Sequence, residues 1–280
     1  MPPVHSVRVQ DLSLRPTLSV LCAGYELSKW RKNQLVEDIF DRHLTSFALS
    51  FTEWDSIAGS TAAASLRKAA QAVYDTDKYG SRGEFGELIL HAAVKDFFGG
   101  QPAVSKIYYK DSPNDTVKGF DCVHVVEANG SLELWIGEVK YYQNLSQAIR
   151  DVIAEIEVHL KADFLRREFV AITNKIDRDW PLAQELTDLL DRARSLDEIL
   201  PRLVVPVMLT YNSPAVASFQ AVSDGYVAEL RKEAENAWAS FVSKLAPHMP
   251  IELHLILVPV KNKTKLTKSF HKKLQAWKAI

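Results

Sequence analysis

The segment from residue 119 to 140, GFDCVHVVEANGSLELWIGEVK, constrains the fold more than any other part of the sequence. Two strand-like runs flank the dipeptide Asn129-Gly130, and Asn-Gly between such runs is the strongest short-range signal for a β-hairpin with a two-residue turn. In a hairpin of this kind Ala128 faces Ser131, and the turn sets the register of every further pair. The sequence therefore predicts which side chains meet across the two strands.

The predicted register places Asp121 directly opposite Glu138. Opposed side chains on one face of an antiparallel pair have Cβ atoms about 4.5–5.5 Å apart, and like charges at that distance repel. A divalent cation between the carboxylates would offset this repulsion, since hard cations such as Mg²⁺, or Mn²⁺ in its place, take carboxylate oxygens. The pair therefore indicates a metal site. A bulge at Gly137 is the alternative, because it would shift the alternation of the residues that follow.

Lys140 adds a third chemical group to this face of the hairpin. It lies two residues beyond Glu138, and side chains along a strand alternate between the faces of the sheet. An ammonium group beside a metal ion would hold an attacking water or stabilise the negative charge that builds on a phosphoryl group in the transition state. These residues predict a catalytic site for hydrolysis. The alternative is a surface hairpin on which Lys140 only neutralises Glu138. His124 has the opposite parity to Asp121 and is expected in the core or on the back face.

A predicted helix over residues 84–97 offers a further carboxylate, because both Glu84 and Glu87 fall in its first turn. Helical spacing puts Glu84 at the edge of the apolar face and turns Glu87 toward the other side, which favours Glu84 slightly. Acidic residues in a first helical turn also complement the helix dipole without any role in chemistry. Both glutamates therefore stay candidates for the catalytic metal site.

The order of the predicted elements indicates a mixed α/β fold with helices flanking a central sheet. The predicted elements that follow the first part of the chain are helix 84–97, strands 104–109, 119–127 and 132–142, helix 146–161, strand 169–173, helix 182–193, strand 203–210, helix 224–245 and strand 251–260. The polar stretch at residues 75–83 predicts a boundary near residue 80, between residues 1–80 and residues 81–280. The first part is predicted to be a mostly helical subdomain, with helices near 27–47 and 62–74.

Composition excludes several classes of protein. The 34 Lys and Arg residues balance 35 Asp and Glu residues, so no global basic field attracts a polyanion. The two cysteines, Cys22 and Cys122, are too few for a disulfide framework or a structural zinc site. The sequence has no P-loop and no G-x-G-x-x-G motif, so ATP or dinucleotide binding is not expected. With no membrane-spanning apolar run and no signal-peptide pattern, we expect a soluble cytoplasmic protein.

The segment 261–278 carries seven lysines and no acidic residue. It is a local candidate for phosphate contacts with nucleic acid, and such contacts position a backbone without reading its sequence. The candidate nucleic-acid-binding residues are Lys263, Lys265, Lys268, Lys272 and Lys273. An amphipathic helix that docks Leu266, Phe270 and Leu274 on the body, while its lysines face solvent, explains the same pattern. Both interpretations can hold together.

The candidate residues around the hairpin resemble the signature of the PD-(D/E)XK nuclease superfamily. That signature is a helix glutamate, an aspartate at one strand and D/E-X-K on the next strand. The matching residues here are Glu84 or Glu87, Asp121, and Glu138-Val139-Lys140. The resemblance covers the αβββαβ run from about residue 80 to 175, and phenylalanine replaces the usual proline before Asp121. It implies a restriction-endonuclease-like core that hydrolyses phosphodiester bonds, usually of DNA, with a metal ion such as Mg²⁺.

A narrower resemblance, to the HamA family, extends over most of the chain. It rests on the N-terminal segment LCAGYELSKWRKNQLVEDIFDRHLTSFALSFTEWD together with RGEFGELILH, KGFDCVHV and GEVKYYQN. HamA is the nuclease subunit of the Hachiman antiphage defence system, so the resemblance implies an ATP-dependent helicase partner, HamB, that releases the nuclease. Residues 1–80 are a hypothetical docking region for that partner. The alternative function is a nuclease-derived scaffold that binds DNA or a partner without cutting.

Overall fold

The computed structural model of the chain describes residues 2–74, 83–105, 119–128, 130–246 and 251–280. The strands within these ranges are β1 (Ser6–Asp11), β2 (Thr17–Cys22), β3 (Tyr25–Glu26), β4 (Lys29–Trp30), β5 (Gln101–Val104), β6 (Cys122–Ala128), β7 (Ser131–Tyr141), β8 (Leu203–Asn212) and β9 (Glu252–Val260). The helices are α1 (Lys32–Ala48), α2 (Phe51–Asp55), α3 (Ala62–Val73), α4 (Glu84–Phe98), α5 (Leu145–His159), α6 (Ala162–Thr173), α7 (Ala183–Leu189), α8 (Leu196–Ile199), α9 (Pro214–Ser218), α10 (Asp224–Val242) and α11 (Lys263–Lys278).

Seven strands form one mixed sheet in the order β1-β2-β9-β8-β7-β6-β5. Strands β5, β6 and β7 are antiparallel neighbours, whereas β7, β8, β9 and β2 run parallel to one another. Parallel neighbours need a crossover connection, and the chain passes from β7 to β8 through α5 and the helices that follow it. Helices flank the sheet, so the predicted mixed α/β, restriction-endonuclease-like fold is confirmed.

The two faces of the sheet carry different helices. On one face α4 packs on β6 and β7, with α1, α3 and α11 beside it; on the other face α5 packs on β7 and β8. Along β7, the side chains of Val139 and Tyr141 lie against α4. Since side chains alternate along a strand, Glu138 and Lys140 point toward α5.

The hairpin of β6 and β7 has the predicted register. Ala128 pairs with Ser131, and the pairing continues residue by residue to Cys122 opposite Gly137. Gly130 has a φ of +75°, the left-handed conformation that the second position of this turn type requires. The paired residues contain no register shift at Gly137, so the alternation predicted for the end of β7 holds.

One predicted strand is wrong. Residues 169–173 belong to helix α6, in which Leu165, Phe169 and Ile172 are buried. These three positions recur at helical spacing and form one apolar face, whereas the β-branched residues between 170 and 173 suggested a strand. The strand that follows α5 in the sheet is β8 instead.

The first 74 residues contribute to the central sheet as well as to a helical layer. Strand β2 lies parallel to β9, and β1 pairs with its outer edge. Helices α1 and α3 account for the helices predicted in this part. The boundary predicted near residue 80 lies outside the described residues.

Gly86 lets the first turn of α4 approach the end of β7. A Cβ atom at this position would lie 2.8 Å from the Cβ of Tyr141 and 3.1 Å from the Cγ2 of Val139. We therefore expect Gly86→Ala to lower the free energy of unfolding by about 1–3 kcal/mol, because the helix must move away from the strand. Gly59→Ala is the matched control, since no atom lies within 4 Å of its added methyl group. Urea denaturation gives the free energy of unfolding of both variants. A Gly86→Ala variant as stable as the Gly59→Ala control would contradict this close packing.

Candidate active site

The end of strand β7 carries Glu138 and Lys140 on the face that packs against α5. Val207 and Leu209 of β8 pair with these two residues and support the strand from one side. Both side chains are buried, with 1 % of Glu138 and 8 % of Lys140 exposed to solvent. A buried charge is costly without a partner, so the groups around these two residues determine what the site can do.

Asp121 precedes β6 and lies beside the same stretch of β7. Its backbone amide donates a hydrogen bond of 2.8 Å to the carbonyl oxygen of Gly137. Its carboxylate Oδ2 accepts a hydrogen bond of 2.8 Å from the backbone amide of Val139. The side chain therefore bonds to the strand where the backbone pairing with β6 ends, which holds it close to Glu138.

Glu138 forms an ion pair with His159, the last residue of α5, through Nδ1 of the imidazole ring. Burial raises the pKa of Glu138 to about 7; the hydrogen bond from His159 acts against this rise, and the negative charge of Asp121 adds to it. Burial alone would lower the pKa of His159, but the hydrogen bond and charge of Glu138, helped by Glu155 and Asp121, raise it. The electrostatic field of Asp121 thus reaches both members of the pair.

Lys140 forms a second ion pair with α5, in which Nζ contacts Oε2 of Glu155. Glu155 and His159 are functional candidates that sequence reasoning missed. One feature of the sequence could have identified them: they lie four residues apart in the helix predicted after the hairpin, and residues four apart share one helix face. This spacing becomes informative only when α5 is known to pack on β7, and local sequence patterns do not predict that packing.

Glu84 and Glu87 lie in the first turn of α4, which packs on the opposite face of the sheet. Glu84 is buried, with 7 % of its surface exposed. The contact of Gly86 with Val139 and Tyr141 puts this turn at the level of the Glu138-Val139-Lys140 stretch. The structure therefore brings Asp121, Glu138 and Lys140 together, and it places the first turn of α4, which carries both helix glutamates, beside the same end of β7.

The donor set suits a hard divalent cation. The part of the chain that the structure describes contains no cluster of three or more His, Cys, Asp or Glu side chains arranged to hold a metal ion. Mg²⁺ is commonly bound by only one or two carboxylates together with waters and substrate phosphates. Burial raises the pKa of the Glu138 carboxyl group, and the negative charge of Asp121 adds to this rise. A cation between the two carboxylates would offset their repulsion, so the residues fit Mg²⁺ or Mn²⁺.

His124 is a core residue on the far side of the sheet, as its parity predicts. Only 2 % of it is exposed, and its Nε2 lies 3.0 Å from Nδ1 of His91 on α4. It therefore takes no part in the group formed by Asp121, Glu138 and Lys140.

The C-terminal lysines differ in exposure. Helix α11 docks on the body through fully buried Leu266, Phe270 and Leu274, as the amphipathic interpretation predicts. Lys263 is buried, with Nζ 4.6 Å from the centre of the Tyr141 ring. Lys273 lies 3.4 Å from a carboxylate oxygen of Asp41. The lysines that remain exposed along this helix are Lys265, Lys268 and Lys272.

The mixed sheet, the flanking helices and the hairpin residues define a chain with a restriction-endonuclease-like α/β fold. The HamA family model matches residues 3–274, and the chain belongs to the HamA family. Membership in this family makes it a component of the Hachiman antiphage defence system. A search of curated proteins finds no match. None of the helices in the described ranges is long and apolar enough to cross a membrane.

Proposed function

We propose that this chain is a metal-dependent deoxyribonuclease of the PD-(D/E)XK type and the effector subunit of its defence system. The observation that carries the proposal is the placement of Asp121, Glu138 and Lys140 together at the end of the hairpin. Membership in the HamA family supports the same activity.

Each residue has a defined role in this proposal. Asp121 and Glu138 hold one or two Mg²⁺ or Mn²⁺ ions, and Glu84 or Glu87 completes the ligand set directly or through water. When bound, the ion polarises the phosphate and lowers the pKa of its bound water. Lys140 holds the attacking water or stabilises the negative charge that builds on the phosphoryl oxygens.

The exposed lysines of α11 are proposed to contact the DNA backbone. Lys265, Lys268 and Lys272 face solvent and can neutralise phosphates without sequence preference. Two of the five lysines predicted from the sequence fit this role less well: Lys263 is buried over the Tyr141 ring, and Lys273 is half-buried and pairs with Asp41.

A helicase or ATPase partner that resembles HamB is proposed to control the nuclease. The sequence has no P-loop, so an ATP-dependent step belongs to a partner subunit. Residues 1–80 remain the proposed docking region. Deleting them is not a suitable test, because the deletion removes β1 and β2 from the central sheet. Surface substitutions on α1 and α3 preserve the sheet and test docking instead.

A non-cutting scaffold is the second candidate function. It is supported by the lack of a three-ligand metal cluster among the described residues. A scaffold of this kind would bind DNA or the partner and would not respond to divalent metal.

Metal-dependent stabilisation separates these two functions. We expect Mg²⁺ or Mn²⁺ at 100 times its dissociation constant to stabilise the wild-type fold by about 2.7 kcal/mol, and thereby to raise its melting temperature by several degrees. Asp121→Asn should lose most of this response, because it removes the charge and keeps an oxygen that accepts the Val139 hydrogen bond. Asp55→Asn, at an exposed aspartate of α2, is the matched control and should respond like wild type. Equal stabilisation of wild type and Asp121→Asn would contradict metal binding at this site, and DNA cleavage by Asp121→Asn would contradict its catalytic role.

A further inference from the structure

Helix α5 presents one acidic and one basic side chain to the end of β7. Glu155 and His159 lie four residues apart and share a face of the helix. Glu138 and Lys140 lie two residues apart and share a face of the strand. The acid of the helix pairs with the base of the strand, and the base of the helix pairs with the acid of the strand.

This arrangement separates two groups that would otherwise attract each other. Glu138 and Lys140 carry opposite charges on the same face of one strand, and a direct ion pair between them would use the carboxylate that the proposed metal site needs. Instead Lys140 is directed to Glu155 and Glu138 to His159. The reverse pairing would bring Glu138 to Glu155 and Lys140 to His159, and like charges repel at such distances.

We propose that His159 and Glu155 are positioning residues of this active site: His159 orients the carboxylate of Glu138, and Glu155 holds the ammonium group of Lys140 away from it. The inference rests on the proposed function. Neither residue is assigned a contact with DNA or with the reacting atoms. Each acts through the strand residue with which it pairs.

Two aromatic rings hold His159 in place. The Phe164 ring stacks on the imidazole with centroids 4.2 Å apart, and the Phe120 ring meets its edge at 5.2 Å. Phe120 directly precedes Asp121. One short segment therefore supplies a carboxylate of the proposed metal site and an aromatic ring that packs against the imidazole. The ring is therefore fixed with Nδ1 toward Glu138, where it contacts the carboxylate oxygen Oε1.

Two substitutions of His159 separate hydrogen bonding from packing. His159→Phe keeps an aromatic ring between Phe120 and Phe164 and removes the donor. His159→Asn removes the ring and keeps an N–H donor at the position of Nδ1. We expect His159→Phe to weaken Mn²⁺ binding to the full-length chain by about 10- to 100-fold, as loss of a group that orients a metal ligand does, and His159→Asn to weaken it less.

Calorimetric titration of each variant with Mn²⁺ gives the primary result. The same variants should have a lower kcat for DNA cleavage and an unchanged KM for DNA, because His159 is not among the residues proposed to contact DNA. Tighter Mn²⁺ binding by His159→Asn than by His159→Phe supports the inference. Equal binding by the two variants, or tighter binding by His159→Phe, overturns it, because the ring would then matter only for packing.

Glu155 is tested in the same way. Its side chain is 44 % exposed, so its loss leaves little buried space. Glu155→Ala should release Lys140 toward Glu138 and weaken Mn²⁺ binding about tenfold, whereas Glu155→Gln keeps an oxygen that accepts from Nζ and should bind better than Glu155→Ala. Glu157→Ala, at an exposed position of the same helix, is the matched control. Wild-type binding by Glu155→Ala overturns the role of Glu155.

Mn²⁺ binding by Glu138→Gln separates an error in the positioning roles from an error in the proposed metal site. If Glu138→Gln binds Mn²⁺ like wild type, the metal site itself is wrong. If Glu138→Gln loses Mn²⁺ while His159→Phe and Glu155→Ala retain wild-type affinity, the metal site stands and only the positioning roles are wrong.

Discussion

Lys140→Met is expected to lower kcat for DNA cleavage by about 10²–10³-fold, the usual loss when one group that stabilises transition-state charge is removed. The Lys140 side chain is buried, and it lies on the same face of the strand as Glu138. Methionine fills a similar volume without the charge. Glu155, the partner that Lys140 has in the wild type, is partly exposed and can be hydrated, so the variant should fold.

Glu138→Gln should abolish cleavage by a different route. It removes a negative charge from the proposed metal site, so Mn²⁺ binding should be lost together with activity. Lys140→Met should instead retain Mn²⁺ binding and lose activity, because the lysine is not a metal ligand. Plasmid cleavage in Mg²⁺, measured with the chain alone and with its partner complex, gives the activity, and calorimetry gives the metal affinity.

Lys244→Met provides the control for loss of a positive charge. Lys244 is exposed after the end of α10, and its substitution should leave cleavage unchanged. Cleavage at the wild-type rate by the folded double variant, Glu138→Gln with Lys140→Met, would contradict the nuclease proposal. Equal loss of cleavage in Lys140→Met and Lys244→Met would show that activity depends on net positive charge and not on the position of Lys140.

The local part of the candidate site could be predicted because its determinants are local. The Asn129-Gly130 dipeptide predicts the turn, and the alternation of side chains then assigns Glu138 and Lys140 to one face. The pairing of Cys122 with Gly137 confirms that register. Asp121 lies one residue before β6. The alternation of side chains along the strands therefore does not predict the hydrogen bond that its carboxylate accepts from the Val139 amide.

The wrong strand at residues 169–173 shows where local patterns fail. A short apolar run with β-branched residues is compatible with a strand or with a buried helix face, and packing decides between them. Phe169 and Ile172 pack into the core from α6. The insertion of α6, α7 and α8 between α5 and β8 then moves the next strand some thirty residues along the chain.

The pairs made by α5 and the position of β2 depend on contacts between distant parts of the chain. His159 meets Glu138 only because α5 returns across the face of β7. Strand β2 lies inside the sheet, between β1 and β9, although β9 is more than two hundred residues away in sequence. Hydrophobic periodicity identifies each of these elements and carries no information about its neighbours.

Acid is expected to unfold this protein because several buried imidazoles must take up protons. Burial lowers the pKa of His5 and of His254 to about 4 and that of His124 to about 3, and it lowers the pKa of His91 well below its usual value. In the unfolded chain each of these groups has an ordinary pKa near 6.5. Below that pH the unfolded state binds more protons than the folded state, so the free energy of unfolding falls as pH falls.

Glu138 acts in the opposite direction, since its raised pKa makes the folded state bind a proton between about pH 7 and pH 4.5. Near pH 5.5 the four imidazoles and this carboxyl group leave a difference of about three protons, or about 4 kcal/mol per pH unit. A stability of about 5–15 kcal/mol is therefore lost over a few pH units below pH 6.5. Stability should be nearly constant with respect to these histidines above about pH 7.5, where the unfolded imidazoles are almost all neutral.

His254→Asn isolates one of these contributions. Burial is the one cause of the lowered pKa of His254, and its ring contacts Thr17 and Ser19 on β2 at 2.7 and 3.0 Å. Asparagine can keep the contact with Thr17 and cannot take up a proton. The stability difference between wild type and variant, measured by urea denaturation, should therefore shrink by about 1.4 kcal/mol per unit as pH falls from 6 to 4.5. A constant difference across that range would mean that His254 is already protonated in the folded state or stays neutral in the unfolded state.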